Sequence, residues 1–345
     1  MTDKKERTAP AKSGEYISFD VMKKEADLAY ESMGVSDLYS TGFSMLDEYL
    51  NGGYGRDNLY ELVLISSAPK CLKTTFAMQM LIDPLKRKVP MYWMLAEMSY
   101  GETMNMIRAF FYPNIEEADR IVREAIECGA LKIAHSKTLA SIESSDALLT
   151  EMKLAAAAGA KIFYADPLNY LTKRAARGER AHSWDTESEF IDKAKEFLKD
   201  SKLTAVFVVH NTKDANLHHE LGMAGSGDLS RIATKTIETR IEGRFRYQNK
   251  DGQQLMAQVL SVELWAARGQ QSWRDYPFLL KVTSNPNHKG IKLEEMTGED
   301  YGNPNFCGLN QNFQDKKHRH LWDKQAELME GFNRVSQKDS PGSYA

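Results

Sequence analysis

The stretch Glu61 to Met80, ELVLISSAPKCLKTTFAMQM, constrains the fold more than any other part of the chain. It starts with an apolar run, Leu62 to Ile65, that suits a strand buried on both faces, and it ends with a predicted helix over Thr75 to Met80. A short polar loop closing in Lys73-Thr74 lies between the two. A strand, a loop and a Lys-Thr pair that opens a helix are the parts of a phosphate-binding P-loop.

The match to the P-loop pattern G-x-x-x-x-G-K-[ST] is incomplete, because Ser67 and Leu72 stand where the two glycines belong. Leucine restricts the backbone near the phosphates, but the lysine charge and the Thr74 hydroxyl remain. We therefore expect a nucleotide site, with catalysis that is retained or slowed. The predicted nucleotide-binding residues are Ser67, Ala68, Pro69, Lys70, Cys71, Leu72, Lys73, Thr74 and Thr75.

Composition sets wider limits. The chain has 345 residues and is 42% hydrophobic, which is enough apolar material for one large α/β domain or two smaller ones. We expect a cytoplasmic protein without a membrane partner, because no apolar run approaches the roughly 18 residues of a membrane span and the N-terminus resembles no signal peptide. Three widely spaced cysteines predict neither disulfides nor a zinc site. A net charge of -3 neither supports nor excludes a nucleic-acid partner.

Two more apolar segments end in carboxylates. Residues 90–96 are predicted to form a strand followed by Glu97, because Ser99 and Glu102 have the spacing of a capping box that starts a helix. Glu97 at the carboxyl end of a strand suits a base that activates water, although an ordinary exposed glutamate is favoured on spacing alone. The strand ending in Asp166 has the form of a Walker B strand, whose aspartate holds Mg²⁺.

The next predicted strand, Thr204 to Val209, ends in His210, which either senses a γ-phosphate or is a core histidine. Segments 171–184 and 211–227 are predicted to be loops at the same sheet edge. The four cations of the first segment bind the phosphates of a strand or of an adjacent subunit's nucleotide, or they are simply solvated. We favour nucleic acid, with the candidate DNA-binding residues Lys173, Arg174, Arg177, Arg180, Lys213, His218 and His219.

The pattern along the chain predicts an α/β fold with a mostly parallel sheet flanked by helices. Three apolar or alternating segments between residues 237 and 283 are predicted to extend this sheet with antiparallel strands. The expected organisation is a disordered N-terminus (1–17), a linker helix (18–40) that packs on its own core or on a neighbouring subunit, a nucleotide-binding domain (41–298) and a partly disordered C-terminal extension (299–345).

The order of these motifs resembles the RecA-like motor domain of hexameric replicative DNA helicases of the DnaB type, and most of all the branch of the bacteriophage primase-helicase and Twinkle. The resemblance covers roughly residues 41 to 290. It is carried by TGFSMLD (41–47), by LAEMSYGE (95–102), which is the most specific element, and by GSGDLSRIATKTI (225–237). The chain departs from the family at its P-loop glycines and at Ala266, where the family usually has a lysine.

The resemblance implies a RecA-like P-loop NTPase that uses ATP or another NTP with Mg²⁺. By this resemblance Glu97 is the catalytic glutamate, Asp166 the Walker B aspartate and His210 the phosphate-sensing histidine. Arg268 is the arginine finger that reaches the neighbouring subunit's nucleotide. Lys73 contacts the β- and γ-phosphates, and Thr74 shares the metal with the Walker B aspartate.

The implied activity is that of a DNA helicase, translocating on single-stranded DNA as a hexameric ring in the cytoplasm of a bacterial or phage-infected cell. Because no primase domain precedes residue 18, primer synthesis or loader docking would need a separate primase or helicase loader. Two alternatives remain. The first is a RecA-like phage recombinase that forms a filament on single-stranded DNA, and the second is a nucleotide-binding regulator without catalysis.

Overall fold

The computed structural model describes residues 23, 38–55, 60–179, 183–210, 232–248, 254–267, 278–284 and 290–296. Nearly all of the predicted linker helix, the N-terminal segment 1–17 and the extension 299–345 lie outside these ranges. The strands are β1 (Glu61–Ser67), β2 (Met91–Leu95), β3 (Leu131–Ile133), β4 (Ile162–Asp166), β5 (Thr204–His210), β6 (Lys235–Gln248), β7 (Gln254–Ala267), β8 (Phe278–Ser284) and β9 (Ile291–Glu295).

The helices of the described ranges lie mostly between the first five strands. They are α1 (Ser44–Tyr49), α2 (Lys73–Met80), α3 (Ile82–Lys86), α4 (Tyr100–Phe111), α5 (Ile115–Glu127), α6 (Ser136–Ala140), α7 (Ser145–Ala157), α8 (Leu168–Glu179) and α9 (Ser183–Ser201). None of the helices in the described part of the chain combines the length and the apolarity that crossing a membrane requires.

All nine strands of the described ranges belong to one sheet in the order β3-β2-β4-β5-β1-β6-β7-β8-β9. The pairings from β3 to β6 are parallel, and those from β6 to β9 are antiparallel. The strand β1 is therefore central, with Ile65 paired to Val208 on one side and to Ile237 on the other. The predicted fold class, a mostly parallel sheet extended by antiparallel strands, is confirmed.

The strand β1 is buried along its whole length because helices cover both faces of the sheet. Val63 and Ile65 belong to one core cluster, whereas Leu62 and Leu64 belong to a second cluster on the opposite face. Successive side chains of a strand point to opposite faces, so a strand between two helical layers reads as a continuous apolar run. This burial explains why the apolar run in the sequence indicates the strand correctly.

Two expectations about secondary structure need correction, and one strand was missed. The described parts of segment 171–184 are helical and not a loop, because α8 covers residues up to Glu179 and α9 starts at Ser183. Apolar residues recur at helical spacing in α8, but charged residues surround them in the sequence and obscure the pattern. Three of these apolar residues, Leu168, Leu171 and Ala175, are fully buried. The strand β6 is antiparallel only to β7 and pairs parallel with β1. The strand β9 was not predicted.

The P-loop keeps its bend without glycine. Lys70 (φ 67°) and Leu72 (φ 57°) both adopt the left-handed conformation, and Leu72 is the N-cap of α2. This conformation costs a residue with a Cβ atom about 1–2 kcal/mol. The surrounding structure holds the loop in place, since the Leu72 side chain packs against the core and the Thr239 hydroxyl on β6 donates to the Cys71 carbonyl (3.2 Å).

We expect Leu72→Gly to be more stable than Leu72→Ala by about 1 kcal/mol in the free energy of unfolding, because glycine accepts the left-handed conformation and alanine does not. Both substitutions remove the same packed side chain, so their difference isolates the backbone. Urea denaturation followed by tryptophan fluorescence measures it.

The matched control is the exposed helical position Arg123 in α5. There the order should reverse, with Arg123→Gly less stable than Arg123→Ala by about 1 kcal/mol. If alanine is the more stable substitution at both positions, Leu72 does not have the left-handed backbone described above.

Candidate active site

The carboxyl ends of four neighbouring parallel strands meet beside the P-loop. In the register of the sheet, Ser67 at the end of β1 pairs with His210 at the end of β5, and Leu95 at the end of β2 pairs with Asp166 at the end of β4. This edge of an open α/β sheet is where ligands bind. The candidate residues predicted from separate motifs therefore lie along one edge.

The ammonium group of Lys73 is withdrawn from water. Lys73 is 7% exposed, and burial lowers the pKa of its side chain, whereas Asp166, Cys71 and Glu97 act to raise it. A buried cation is costly unless an opposite charge lies close to it. A phosphate at the P-loop would supply that charge.

Asp166 is the second buried charge of the site. Burial raises the pKa of its carboxyl group to about 6, although Tyr164, Thr74 and the nearby charge of Lys73 act in the opposite direction. The Tyr164 hydroxyl donates to Oδ2 of Asp166 at 2.7 Å. Tyr164 was missed in the sequence, although it stands two residues before the aspartate and so on the same face of β4.

The segment after β2 has the predicted geometry. Ser99 caps α4 in a capping box, since its hydroxyl accepts from the Glu102 amide (3.2 Å) and its amide donates to the Glu102 carboxylate (2.8 Å). The Ala96 amide donates to the Asp166 carbonyl (2.8 Å), which ties this segment to β4. Glu97 is exposed and lies close enough to Lys73 and Asp166 to act on the pKa of both.

His210 is half-buried at the end of β5. Burial, and then the charges of Lys73 and Lys173, lower the pKa of its imidazole to about 4. The ring is therefore neutral near pH 7 and can offer one N–H donor and one acceptor. A neutral ring can hydrogen-bond a phosphate without adding a full charge to a site that already contains a lysine.

The start of α2 can take an anion. Its N-cap is a leucine, which provides no side-chain acceptor for the amides of the first turn. Free first-turn amides and the helix dipole together favour a phosphate. These amides stand beside Lys73, so the backbone and the side chain point to the same ligand.

The residues fit a nucleotide-bound magnesium ion. The Thr74 side chain lies close enough to the Asp166 carboxylate to act on its pKa, so the two oxygen ligands are near each other. Within the described ranges no group of three or more His, Cys, Asp or Glu side chains could hold a metal alone. Mg²⁺ in nucleotide sites usually takes one or two protein oxygens plus phosphates and water, so a full protein cage is not needed.

A cavity of about 760 Å³ opens beside Thr75, between α2, α4 and the start of β9. Small-molecule sites span about 300–1,000 Å³, so it is large enough for a ligand. At Gly290, directly before β9, the chain approaches α4 so closely that a Cβ atom would lie 2.1 Å from the Cβ of Ala109. The sequence did not predict that this segment lines the cavity, because β9 is distant in sequence from α4. The lining includes Thr75, Met98, Glu102, Asn105, Met106 and Ile291.

The predicted DNA-binding cations are only partly described. Lys173 and Arg177 are exposed on α8, whereas Arg174 donates to the Ala140 carbonyl at the end of α6 (2.9 Å). Tyr170, which sequence reasoning missed, is 46% exposed and shares a helix face with Lys173 and Arg177 through spacings of three and seven residues. Arg180, Lys213, His218, His219 and Arg268 lie outside the described residues.

Neither a protein-family model nor a curated protein matches the chain. Solved structures do. A KaiC-like protein from the hyperthermophilic archaeon Pyrococcus horikoshii is 16% identical, with a TM-score of 0.50, and the alignment covers 74% of this chain and 97% of that one. A second solved structure, an isolated ATPase domain, is 12% identical, with a TM-score of 0.57, and the alignment covers 82% of this chain and 100% of that domain.

Identities this low establish the fold alone. Both structures match over most of this chain and almost all of their own length. The chain therefore has the fold of RecA-like P-loop ATPases.

Proposed function

We propose that this protein is an NTP-driven DNA helicase that translocates along single-stranded DNA as a hexameric ring. One observation carries the proposal. The sheet brings Lys73-Thr74, Glu97, Asp166 and His210 to one edge. An enzyme that hydrolyses a nucleotide and couples hydrolysis to a conformational change requires residues of these types. The similarity to a solved ATPase domain is consistent with this chemistry.

Phosphoryl transfer depends on positioning and on electrostatic stabilisation. In the proposed reaction Lys73 and the first-turn amides of α2 hold the β- and γ-phosphates of ATP or another NTP. Thr74 and Asp166 hold Mg²⁺, which neutralises charge on the phosphate oxygens when it is bound. The ribose and base occupy the cavity beside Thr75.

Glu97 faces the attacking water and orients or deprotonates it. Its exposure in the single chain fits a residue that an adjacent subunit covers on assembly. The N–H of neutral His210 contacts the γ-phosphate and loses that contact after hydrolysis. Arg268 of the next subunit completes the charge stabilisation, which requires neighbouring subunits in a ring or a filament.

The proposed DNA contact on α8 combines two kinds of interaction. Lys173 and Arg177 pair with backbone phosphates, and Tyr170 offers an exposed ring on which a base stacks. These side chains follow Asp166 by less than four helical turns. Lys213, His218 and His219 are proposed to contribute from segment 211–227, with a primase or loader supplied as a separate protein.

Hydrolysis that depends on Lys73 is the primary test. Lys73→Ala should lower kcat/KM for ATP by about 100-fold or more, because it removes a cation that contacts the transferring phosphate. Lys132→Ala, at an exposed lysine on β3, should leave hydrolysis unchanged. Phosphate release with and without single-stranded DNA provides the measurement.

The proposal is wrong if hydrolysis is indifferent to single-stranded DNA and survives Lys73→Ala. Electron microscopy with DNA and a non-hydrolysable NTP distinguishes two motors of this fold, since six-fold rings support a helicase and helical filaments support a recombinase.

The buried carboxyl of Asp166 predicts a pH-dependent stability. Its pKa is about 6 in the folded chain against an ordinary value of 3.8, so the stability it contributes is present below 3.8 and is lost as the pH rises through about 6. Asp166→Asn stays neutral throughout. Its advantage over wild type in the free energy of unfolding should therefore grow between about pH 4 and about pH 6, towards about 3 kcal/mol.

Urea denaturation of the nucleotide-free proteins across this pH range measures the difference, and the titration of other groups cancels between the two proteins. Mg²⁺ with ATP should reduce the advantage by stabilising the wild-type carboxylate. A difference that does not change with pH would contradict the proposed environment of Asp166.

Salt dependence separates the two DNA contacts on α8. Lys173→Ala and Arg177→Ala should each weaken single-stranded DNA binding and reduce the slope of log K against log salt by about 0.7. Tyr170→Ala should weaken binding by about 1–3 kcal/mol with the slope unchanged. Lys153→Ala, an exposed lysine on α7, is the control. Equal affinities for all four variants and wild type would remove α8 from the DNA site.

A further inference from the structure

A chain of buried hydrogen bonds connects α9, α8 and the end of β5. The Asn169 side-chain amide donates to Oε2 of Glu187 at 2.7 Å, and its Oδ1 accepts from the His210 backbone amide at 2.5 Å. Asn169 and Glu187 are each 3% exposed. One side chain on α8 thus holds both a carboxylate on α9 and the last residue of β5.

The carboxylate of this chain is unusual because it is only half satisfied. Within the described ranges Oε1 of Glu187 is buried and has no hydrogen-bond partner. Burial raises the pKa of this carboxyl to about 7, while Asn169 and Lys173 act to lower it. An apolar residue would fill the same space without this penalty. The hydrogen bond between Asn169 and Glu187 therefore fixes the orientation of the Asn169 amide, which apolar packing alone would not fix.

The hydrogen-bonded bridge Glu187–Asn169–His210 lies between two proposed sites. His210 pairs with Ser67 of the P-loop strand in the register of the sheet, so one end of the bridge lies at the phosphate edge. Lys173 follows Asn169 by one helical turn and is close enough to act on the pKa of both Glu187 and His210. The other end, at Glu187, therefore lies against α8, the helix that carries the proposed DNA contacts.

We propose that Asn169 and Glu187 are positioning residues that couple the nucleotide site to the DNA-binding face of α8, through the backbone of His210. The inference rests on the proposed function. A displacement of α8 by DNA moves Asn169, and Asn169 moves the end of β5, from which His210 reaches the γ-phosphate. Glu187 prevents Asn169 from rotating away from the His210 amide.

The donor and acceptor pattern of the bridge allows a reversal experiment. In assays at alkaline pH, where the Glu187 carboxyl is ionised, Asn169→Asp keeps the acceptor for the His210 amide but places a second carboxylate oxygen against Glu187, where a donor is required. Glu187→Gln then supplies the missing donor from the other side. The double variant reverses the direction of one hydrogen bond while preserving the heavy-atom arrangement.

The test compares wild type, Asn169→Asp, Glu187→Gln and the double variant in ATP hydrolysis, with and without single-stranded DNA. Asn169→Asp should lower the stimulation of kcat by DNA about tenfold, with KM for ATP changed by less than about twofold. The double variant should recover stimulation to within about threefold of wild type. Glu187→Gln alone keeps an acceptor for Asn169 and should remain close to wild type.

Thermal denaturation of all four proteins accounts for folding defects. A merely structural bridge would lower the midpoint of Asn169→Asp and leave the ratio of stimulated to basal turnover of the folded protein unchanged, which would overturn the inference. Failure of the double variant to recover stimulation would also overturn it. A wild-type chain without DNA-stimulated hydrolysis contradicts the proposed function and the inference together. Stimulated wild type with an unaffected Asn169→Asp contradicts the inference alone.

Discussion

Two opposite charges held out of water, on Lys73 and Asp166, determine what this site can do. Each is buried, and burial shifts the pKa of each towards its neutral form. Tyr164 and Thr74 act to lower the pKa of the Asp166 carboxyl, but they offset the effect of burial only in part. The site is therefore electrostatically incomplete by itself, and in the proposed function a phosphate with its metal ion would supply the missing charges on both sides. The central parallel sheet serves to place these charges side by side.

The sequence was sufficient for the parts of the fold that depend on continuous burial. The apolar runs ending in Ser67, Asp166 and His210 form strands because helices cover both sheet faces, and the Ser99 capping box starts α4 through local hydrogen bonds. Parallel strands share an edge, so the convergence of their terminal residues followed from the fold class.

Other features depend on contacts between segments that are distant in sequence. Charges masked the buried stripe of α8, and its Asn169 is defined by partners 18 and 41 residues away. The cavity wall at Gly290 and the parallel pairing of β6 with β1 likewise require the assembled sheet. Tyr164 is different, because its position two residues before Asp166 was open to sequence reasoning.

Leucine at the N-cap of α2 has a consequence for how the loop meets its ligand. A glycine loop samples many backbone shapes and must give up that freedom when it closes around phosphates. Leu72 is kept in the left-handed region by its own contacts with the core, so packing within the chain, and not a ligand, holds the backbone of the loop at this position. The conformational entropy of this part of the loop is then lost during folding, and in the proposed function the nucleotide would bind to a rigid surface and would not have to order a flexible loop.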